Sequence, residues 1–74
     1  MIGEYCRKYR IERGATLIEL TGGSQIKTLS AFEMGRSSNI NHLKPYIELS
    51  LKYNEVDLFL SGLTDEIRSN KNGR

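Results

Sequence analysis

The stretch SQIKTLSAFEMGRSS, from Ser24 to Ser38, encodes a short helix with two unlike sides and is the most informative part of the sequence. Ser24 is a residue type that caps a helix N-terminus, and Gly35 is a type that commonly follows a helix C-terminus. The helix is therefore predicted over residues 25–33. The polar residues that follow Gly35 predict a loop.

The two sides of this predicted helix carry different residues. Ile26, Leu29 and Phe32 recur at every third position, and Leu29 and Phe32 are expected to be its buried pair. The opposite side carries small side chains and one long cation, namely Lys27, Thr28 and Ala31. A helix with so little bulk on its outer side is suited to close contact with another molecule.

A second short helix is predicted immediately before this one. Thr16 followed by Glu19 is a capping-box pattern, so a helix is expected to begin at Leu17. Gly22 and Gly23 predict its end after little more than one turn. Two short helices joined by a Gly-Gly-Ser turn make a helix-turn-helix arrangement.

The first and fourth helices are predicted from apolar stripes at helical spacing. The first ends before Gly14, and its stripe comprises Ile2, Tyr5, Cys6 and Tyr9. The fourth is predicted over residues 43–53, with Pro45 acceptable in its first turn. Its expected inward residues are Leu43, Ile47 and Leu51, with Tyr46 and Leu49 as further candidates.

A short fifth helix completes the predicted domain. Asn54 can adopt the left-handed conformation before it, and Gly62 is expected to end it. Its stripe comprises Val56, Phe59, Leu60 and Leu63. Residues 64–74 are polar and are expected to form a flexible tail. Since no strand alternation is visible, the chain is predicted to be all-α, with residues 1–63 as one domain.

Composition limits the class of protein. A chain of 74 residues with 38% hydrophobic and 27% charged residues is typical of one small globular domain. Cys6 is its only cysteine, so an internal disulfide is excluded and a cytoplasmic location is expected. Neither a membrane span of about 18 apolar residues nor a signal peptide is expected. The net charge of +2 is compatible with an anionic partner.

Catalytic and metal-binding patterns are missing from the sequence. His42 is the only histidine and lies in a polar segment, and Cys6 falls on the apolar stripe of the first helix. The glycine pair predicts a turn rather than a phosphate-binding loop. The chain is therefore expected not to be an enzyme, and to need neither cofactor nor metal.

The order and spacing of these features resemble the Cro and phage-repressor type of helix-turn-helix domain, often called the XRE family. The resemblance covers residues 2–63. It includes Arg10 and Gly14 of the first helix, the Thr16-to-Leu20 start of the second, and two longer runs. These runs are Leu29-Ser-Ala-Phe-Glu-Met-Gly35, similar to the family's I-S-x-I/L-E-x-G ending of the recognition helix, and Val56-Asp-Leu-Phe-Leu-Ser-Gly62, similar to its last helix.

The resemblance implies a compact five-helix fold of the phage lambda-repressor-like type and a function in transcription. The expected function is that of a phage or bacterial repressor that reads double-stranded DNA with the helix over residues 25–33. In the major groove, Lys27 is a candidate donor to guanine and Gln25 a candidate reader of adenine. Thr28 is a candidate for a base edge or phosphate, and Ala31 for a thymine methyl.

The resemblance also implies roles outside the recognition helix. The loop after that helix binds phosphate in the family, so the candidates for phosphate contacts in this loop are Arg36, Ser37 and Ser38. Two cations of the first helix, Arg7 and Lys8, are further candidates. Arg10 and Glu33 occupy positions that often form an ion pair between helices one and three. The closing helix lies near the family's dimer contact, so a homodimer is expected through Leu58, Leu60 and Leu63. Alternatively, these leucines close the core of a monomer.

The chain departs from the family in three places. It is shorter through the turn at Gly22 and Gly23, and Leu17 stands where the family often has glutamine. Ile26 stands where a polar, DNA-facing residue is common, so it either contacts DNA or turns inward to replace missing apolar volume. The shortened second helix and the low net charge favour an alternative, a protein-interaction module that has lost DNA binding and modulates another regulator.

Overall fold

A computed structural model describes residues 2–37 and 39–72, which form five α-helices and no strand. The helices are α1 (Ile2–Glu12), α2 (Leu17–Thr21), α3 (Ile26–Glu33), α4 (Lys44–Lys52) and α5 (Val56–Asn72), and a 3-10 helix (Ile40–Leu43) precedes α4. The radius of gyration of 11.8 Å is that of a compact chain of this length. The prediction of an all-α, compact five-helix domain is confirmed. Within the described residues, no helix is long and apolar enough to cross a membrane.

α2 begins and ends through the local interactions that the sequence predicted. The Thr16 hydroxyl accepts a hydrogen bond from the Glu19 amide at 3.1 Å, and the Glu19 carboxylate accepts one from the Thr16 amide at 2.7 Å. Gly22 follows the helix with φ +71°, a conformation that disfavours a side chain. The capping box and the glycine stop are therefore both confirmed.

α3 begins one residue later than predicted. Its N-cap is Gln25, whose side chain makes no capping hydrogen bond. The Ser24 hydroxyl donates instead to the Thr21 carbonyl oxygen at 3.3 Å, which closes the turn after α2. The prediction that Ser24 caps α3 is therefore wrong, because its hydroxyl bonds backward to the preceding helix.

The hydrophobic core lies between α1, α3, α4 and α5. The predicted pair of Leu29 and Phe32 is fully buried, as is Cys6 of α1. The Tyr9 and Phe59 rings pack with their centroids 4.8 Å apart and join α1 to α5. The remaining members of the core are Ala15, Leu43, Tyr46, Leu49 and Leu63.

α4 and the 3-10 helix before it turn inward the residues that were expected, including Leu43 and Ile47, with the exception of Leu51. Its buried residues are Tyr46, Leu49 and Ser50, whereas Leu51 is 60% exposed. Ser50 can be buried because its hydroxyl donates to the Ile47 carbonyl oxygen at 2.7 Å. The prediction that Leu51 faces the core is therefore wrong.

α5 is longer than predicted and continues through Gly62 to Asn72. Gly62 lies against the Tyr5 ring so closely that a Cβ atom there would overlap the Tyr5 hydroxyl. The position therefore requires a small residue for packing, and the prediction that Gly62 ends the helix is wrong. Residues 64–72, which were expected to be a flexible tail, extend α5, and residues 73–74 lie outside the described residues.

The end of α1 is joined to the start of α5 by three polar side chains. The Tyr9 hydroxyl and the Arg13 Nε each donate to Glu55 Oε1 at 2.8 Å. The Arg13 guanidinium also lies 3.8 Å from the centroid of the Tyr9 ring. Asn54, with φ +57°, makes the turn that places Glu55 there. The prediction of a left-handed Asn54 is confirmed.

Candidate nucleic-acid interface

α3 is packed between α1 and α2 and keeps one side open. The approach of α1 is so close that a Cβ atom at Gly3 would overlap the backbone carbonyl oxygen of Phe32. Leu29 and Phe32 then point into the core. This packing fixes the orientation of α3 and determines which of its residues face outward.

The predicted base-reading residues lie at the start of α3 and along its open side. Gln25, Lys27 and Thr28 are exposed, and Ala31 is half-buried. Ile26 is half-buried as well, so it is neither fully exposed, as expected for a DNA contact, nor fully buried, as expected for a core residue. The open side therefore presents one cation, short polar groups and a methyl group.

Glu33 is the acidic residue of α3, and it faces away from this open side. Arg10 donates to both of its carboxylate oxygens, from Nε at 2.8 Å and from Nη2 at 2.9 Å, and Arg10 Nη1 donates to the Ala15 carbonyl oxygen at 2.9 Å. The Tyr46 hydroxyl donates to Glu33 at 2.5 Å. The structure thus contains the ion pair that the resemblance implied.

These contacts change the acidity of the groups around Glu33. Hydrogen bonding to Glu33 raises the pKa of Arg10, and burial followed by the hydrogen bond to Glu33 raises the pKa of Tyr46. Arg10 stays charged and Tyr46 stays protonated. Glu33 therefore has fixed partners inside the domain, and its negative charge is balanced there.

The burial of Glu33 leaves a long segment without an exposed carboxylate. Residues 20–47 contain no aspartate, and their one glutamate is Glu33. The exposed cations of this segment are Lys27, Arg36 and Lys44. Glu19 and Glu48, which flank the segment, line a groove between α2 and α4 rather than the open side of α3. The spacing of acidic residues was visible in the sequence, but the burial of Glu33 was not.

The loop after α3 contains two of the predicted phosphate contacts. Arg36 is exposed and Ser37 is half-buried. The Ser37 hydroxyl lies 3.4 Å from His42 Nδ1, which connects the loop to the 3-10 helix. Ser38, the third loop residue predicted to bind phosphate, lies outside the described residues.

The two cations of α1 that were predicted to bind phosphate lie on different sides of that helix. Arg7 is one helical turn from Gly3 and from Arg10, the residues through which α1 meets α3. Lys8 lines a depression between α1 and α5, where its acidic neighbours are Glu4, Glu12 and Glu66. Arg7 is therefore at the edge next to α3, and Lys8 lies away from it.

The three candidate interface residues of α5 do not share one surface. Leu58 and Leu60 are 60% and 41% exposed, whereas Leu63 is buried in the core of the monomer. At 100° per residue, Leu58 and Leu60 point roughly 160° apart around the helix. Ile67 is exposed two turns after Leu60, on the same side. Leu60 and Ile67 are therefore the pair that can form one apolar surface.

Residues 2–37 and 39–72 contain neither a candidate metal site nor a reactive cysteine. No group of three histidine, cysteine or acidic residues there could hold a metal ion. Burial, followed by the charge of Glu33, raises the pKa of the Cys6 thiol to about 12. Since the thiolate is the reactive form, Cys6 is a core residue and not a nucleophile.

Comparison with known proteins gives no family assignment. No protein-family model matches the chain, and neither curated proteins nor solved structures gave a match. The likeness to XRE-type domains therefore remains a prediction from the residue pattern.

Proposed function

We propose that this protein is a sequence-specific DNA-binding regulator that inserts α3 into the major groove of double-stranded DNA. The observation that carries the proposal is the charge distribution around α3. Lys27 and Arg36 are exposed, while the carboxylate of Glu33 is buried against Arg10. Because DNA carries one negative charge per about 1.7 Å of its axis, an exposed carboxylate on this surface would oppose binding.

The size of the outward side chains supports the same proposal. An α-helix with its side chains is about 10–12 Å wide and the major groove is about 12 Å wide, so bulky outward residues would hinder entry. In the proposed complex Lys27 donates to guanine, and Thr28 and Gln25 contact base edges. Ala31, which is half-buried, lies against a thymine methyl.

Phosphate contacts would fix the orientation of α3. Arg36 and Ser37 follow its C-terminus, and Arg7 lies on the adjacent edge of α1. Such contacts set register and carry no sequence information. The resemblance to phage and bacterial repressors extends the proposal to repression of transcription by a homodimer on paired half-sites.

A protein-interaction module is the second candidate function, and one observation favours it. Met34 and Ile40, on either side of the loop after α3, are 59% and 72% exposed. Ile40 also lines an apolar depression with Leu43 and Ile47. Exposed apolar residues next to such a depression suit a protein partner better than a phosphate backbone.

Selection from a random duplex library, followed by fluorescence anisotropy, tests the first proposal against the second. The selected duplex and a scrambled duplex are titrated at two salt concentrations. We expect tighter binding of the selected duplex by at least about tenfold, and log K falling with log salt by about 0.9 for each phosphate contact. Equal binding of both duplexes, or none at low salt, would contradict DNA reading.

Arg36→Ala and Lys52→Ala make a matched pair for this experiment, because each removes one exposed cation. Arg36 lies in the loop after α3, whereas Lys52 lines the groove between α2 and α4. Arg36→Ala should weaken binding to both duplexes, and Lys52→Ala should bind almost as wild type does. An equal loss in the two variants would indicate attraction by net charge without a defined surface.

A further inference from the structure

His42 lies beneath the loop that follows α3. Its ring stands edge-on to Phe32, with the ring centroids 5.4 Å apart and the planes at 74°. Since Phe32 is fixed in the core, this contact fixes the position of the imidazole. His42 is half-buried, so part of the residue remains accessible to solvent.

The Ser37 hydroxyl lies between the Asn39 amide and one ring nitrogen of His42. The Asn39 amide donates to the Ser37 hydroxyl oxygen at 3.5 Å. The Ser37 hydroxyl oxygen also lies 3.4 Å from His42 Nδ1, and either group can donate to the other, according to the tautomer of the ring. In the protonated imidazole both nitrogens carry a proton and act as donors.

The charged side chains on the elements around His42 leave the imidazole without an internal carboxylate partner. On α3, Glu33 is turned to Arg10 and Tyr46, so it is not available to the imidazole. The loop contributes the cation Arg36, and α4 contributes Lys44 and Glu48, which line the neighbouring depression. Residues 34–47, which include the loop and the 3-10 helix, contribute no carboxylate that could pair with the imidazolium.

We propose that His42 and Ser37 form a phosphate contact of the DNA interface, and that His42 takes up a proton from solvent when DNA binds. This inference rests on the proposed function. In the imidazolium both ring nitrogens are donors. The Ser37 hydroxyl can then accept from Nδ1 and donate its own proton to a phosphate oxygen, while Nε2–H remains a second donor.

The proposed proton uptake has a defined direction with pH. A phosphate beside the ring stabilises the imidazolium, so DNA binding and proton uptake favour each other. The affinity for DNA is therefore expected to be highest in acid and to fall as pH rises.

The test is isothermal titration calorimetry of the full chain with the selected duplex, in two buffers of different ionisation enthalpy. Affinity is measured between about pH 5.5 and about pH 7.5, on either side of the ordinary imidazole pKa of about 6.5. Wild type should take up a fraction of one proton and lose affinity as pH rises. Because His42 is the only histidine in the chain, comparison with His42→Gln separates its uptake from that of the α-amino group.

Three variants separate a phosphate contact from a structural role. His42→Gln should bind without proton uptake and without pH dependence, and His42→Lys should hold the low-pH affinity of wild type throughout. Lys52→Gln, in the groove between α2 and α4, should retain the pH dependence of wild type. Thermal unfolding checks that each variant folds. If His42→Gln does not fold, the inference is tested by the proton uptake of wild type and by whether the affinity of His42→Lys is independent of pH.

The outcomes distinguish this inference from the proposed function. Salt-dependent, sequence-specific binding without proton uptake would overturn the phosphate contact of His42 and leave DNA reading intact. The absence of DNA binding at every pH and at low salt would overturn both. A pH dependence that survives in His42→Gln would assign the titration to another group and would also overturn the inference.

Discussion

Arg10 and Glu33 are joined across α1 and α3 by two parallel hydrogen bonds, from Nε and Nη2 to the two carboxylate oxygens. The side chains are 13% and 3% exposed, so most of this ion pair is removed from water. The pair fixes α3 against α1 and also removes the carboxylate from the outward side of α3. One interaction therefore serves both the packing of the domain and the charge of its candidate interface.

Arg10→Met should destabilise the domain by about 3–5 kcal/mol, because Glu33 remains buried without its cation. The free energy of unfolding in urea measures this loss. The double variant Arg10→Met/Glu33→Gln should lose less than Arg10→Met alone, since it leaves no buried charge and keeps an acceptor for Tyr46. An equal loss in the single and double variants would contradict the importance of the buried charge.

Gly62→Ala should destabilise the domain by about 1–3 kcal/mol, because the added methyl group would overlap Tyr5. In an ordinary helix interior the same change stabilises by up to about 1 kcal/mol. Ser61→Ala is the control, because Ser61 is the exposed neighbour in the same helix. Thermal unfolding compares the two variants, and a stabilised Gly62→Ala would show that Tyr5 does not restrict the site.

Gly62 illustrates which features of the fold could be predicted from the sequence. Thr16 and Glu19 form their capping box from neighbouring residues, and Gly22 acts through its own backbone conformation, so local patterns were sufficient. The role of Gly62 depends on Tyr5, which is distant along the chain. The prediction that Leu51 is buried was wrong for a similar reason, because the packing of α4 against other helices determines which of its sides is buried.

In the candidate interface, too, features set by local sequence could be predicted, whereas features set by packing could not. The exposure of Lys27 and Thr28 followed from the helical period of α3, which is a local property. The contact between Ser37 and His42 could not be predicted, because it depends on how the loop after α3 packs on the 3-10 helix. The location of Lys8 in the depression between α1 and α5 could not be predicted either, because clustering of cations in sequence does not specify a side of α1.

Glu55→Gln should reduce stability at neutral pH and have less effect in acid. Hydrogen bonds from Tyr9 and then Arg13 lower the pKa of Glu55 below its usual 4.5. Its ionised form therefore stabilises the folded state above about pH 4.5, and this contribution is lost as pH falls through the folded-state pKa. The melting temperature of wild type and variant across this range measures the difference. Parallel curves would show that Glu55 is not the group responsible.

Lys27→Ala and Thr28→Ala should each reduce the preference for the selected duplex over the scrambled one by roughly 1–3 kcal/mol, with the fold unchanged. Arg36→Ala should weaken binding to both duplexes and lower the salt slope by about 1, because a phosphate contact carries no sequence information. Anisotropy titrations at several salt concentrations distinguish the two effects. If all three variants bind as wild type does, the protein-interaction module becomes the leading function.

Leu60→Glu should weaken formation of the proposed homodimer, which would place two α3 helices about 34 Å apart on one side of the DNA. Leu60 and Ile67 share one side of α5 and are both exposed. In a dimer formed through this side, the carboxylate introduced at position 60 would be buried against the apolar surface of the other copy. Leu58→Glu is the matched control, because Leu58 is exposed on the far side of the same helix. Sedimentation velocity over a concentration series, with and without the selected duplex, measures self-association. A wild-type protein that stays monomeric throughout and binds a single half-site would contradict the dimer.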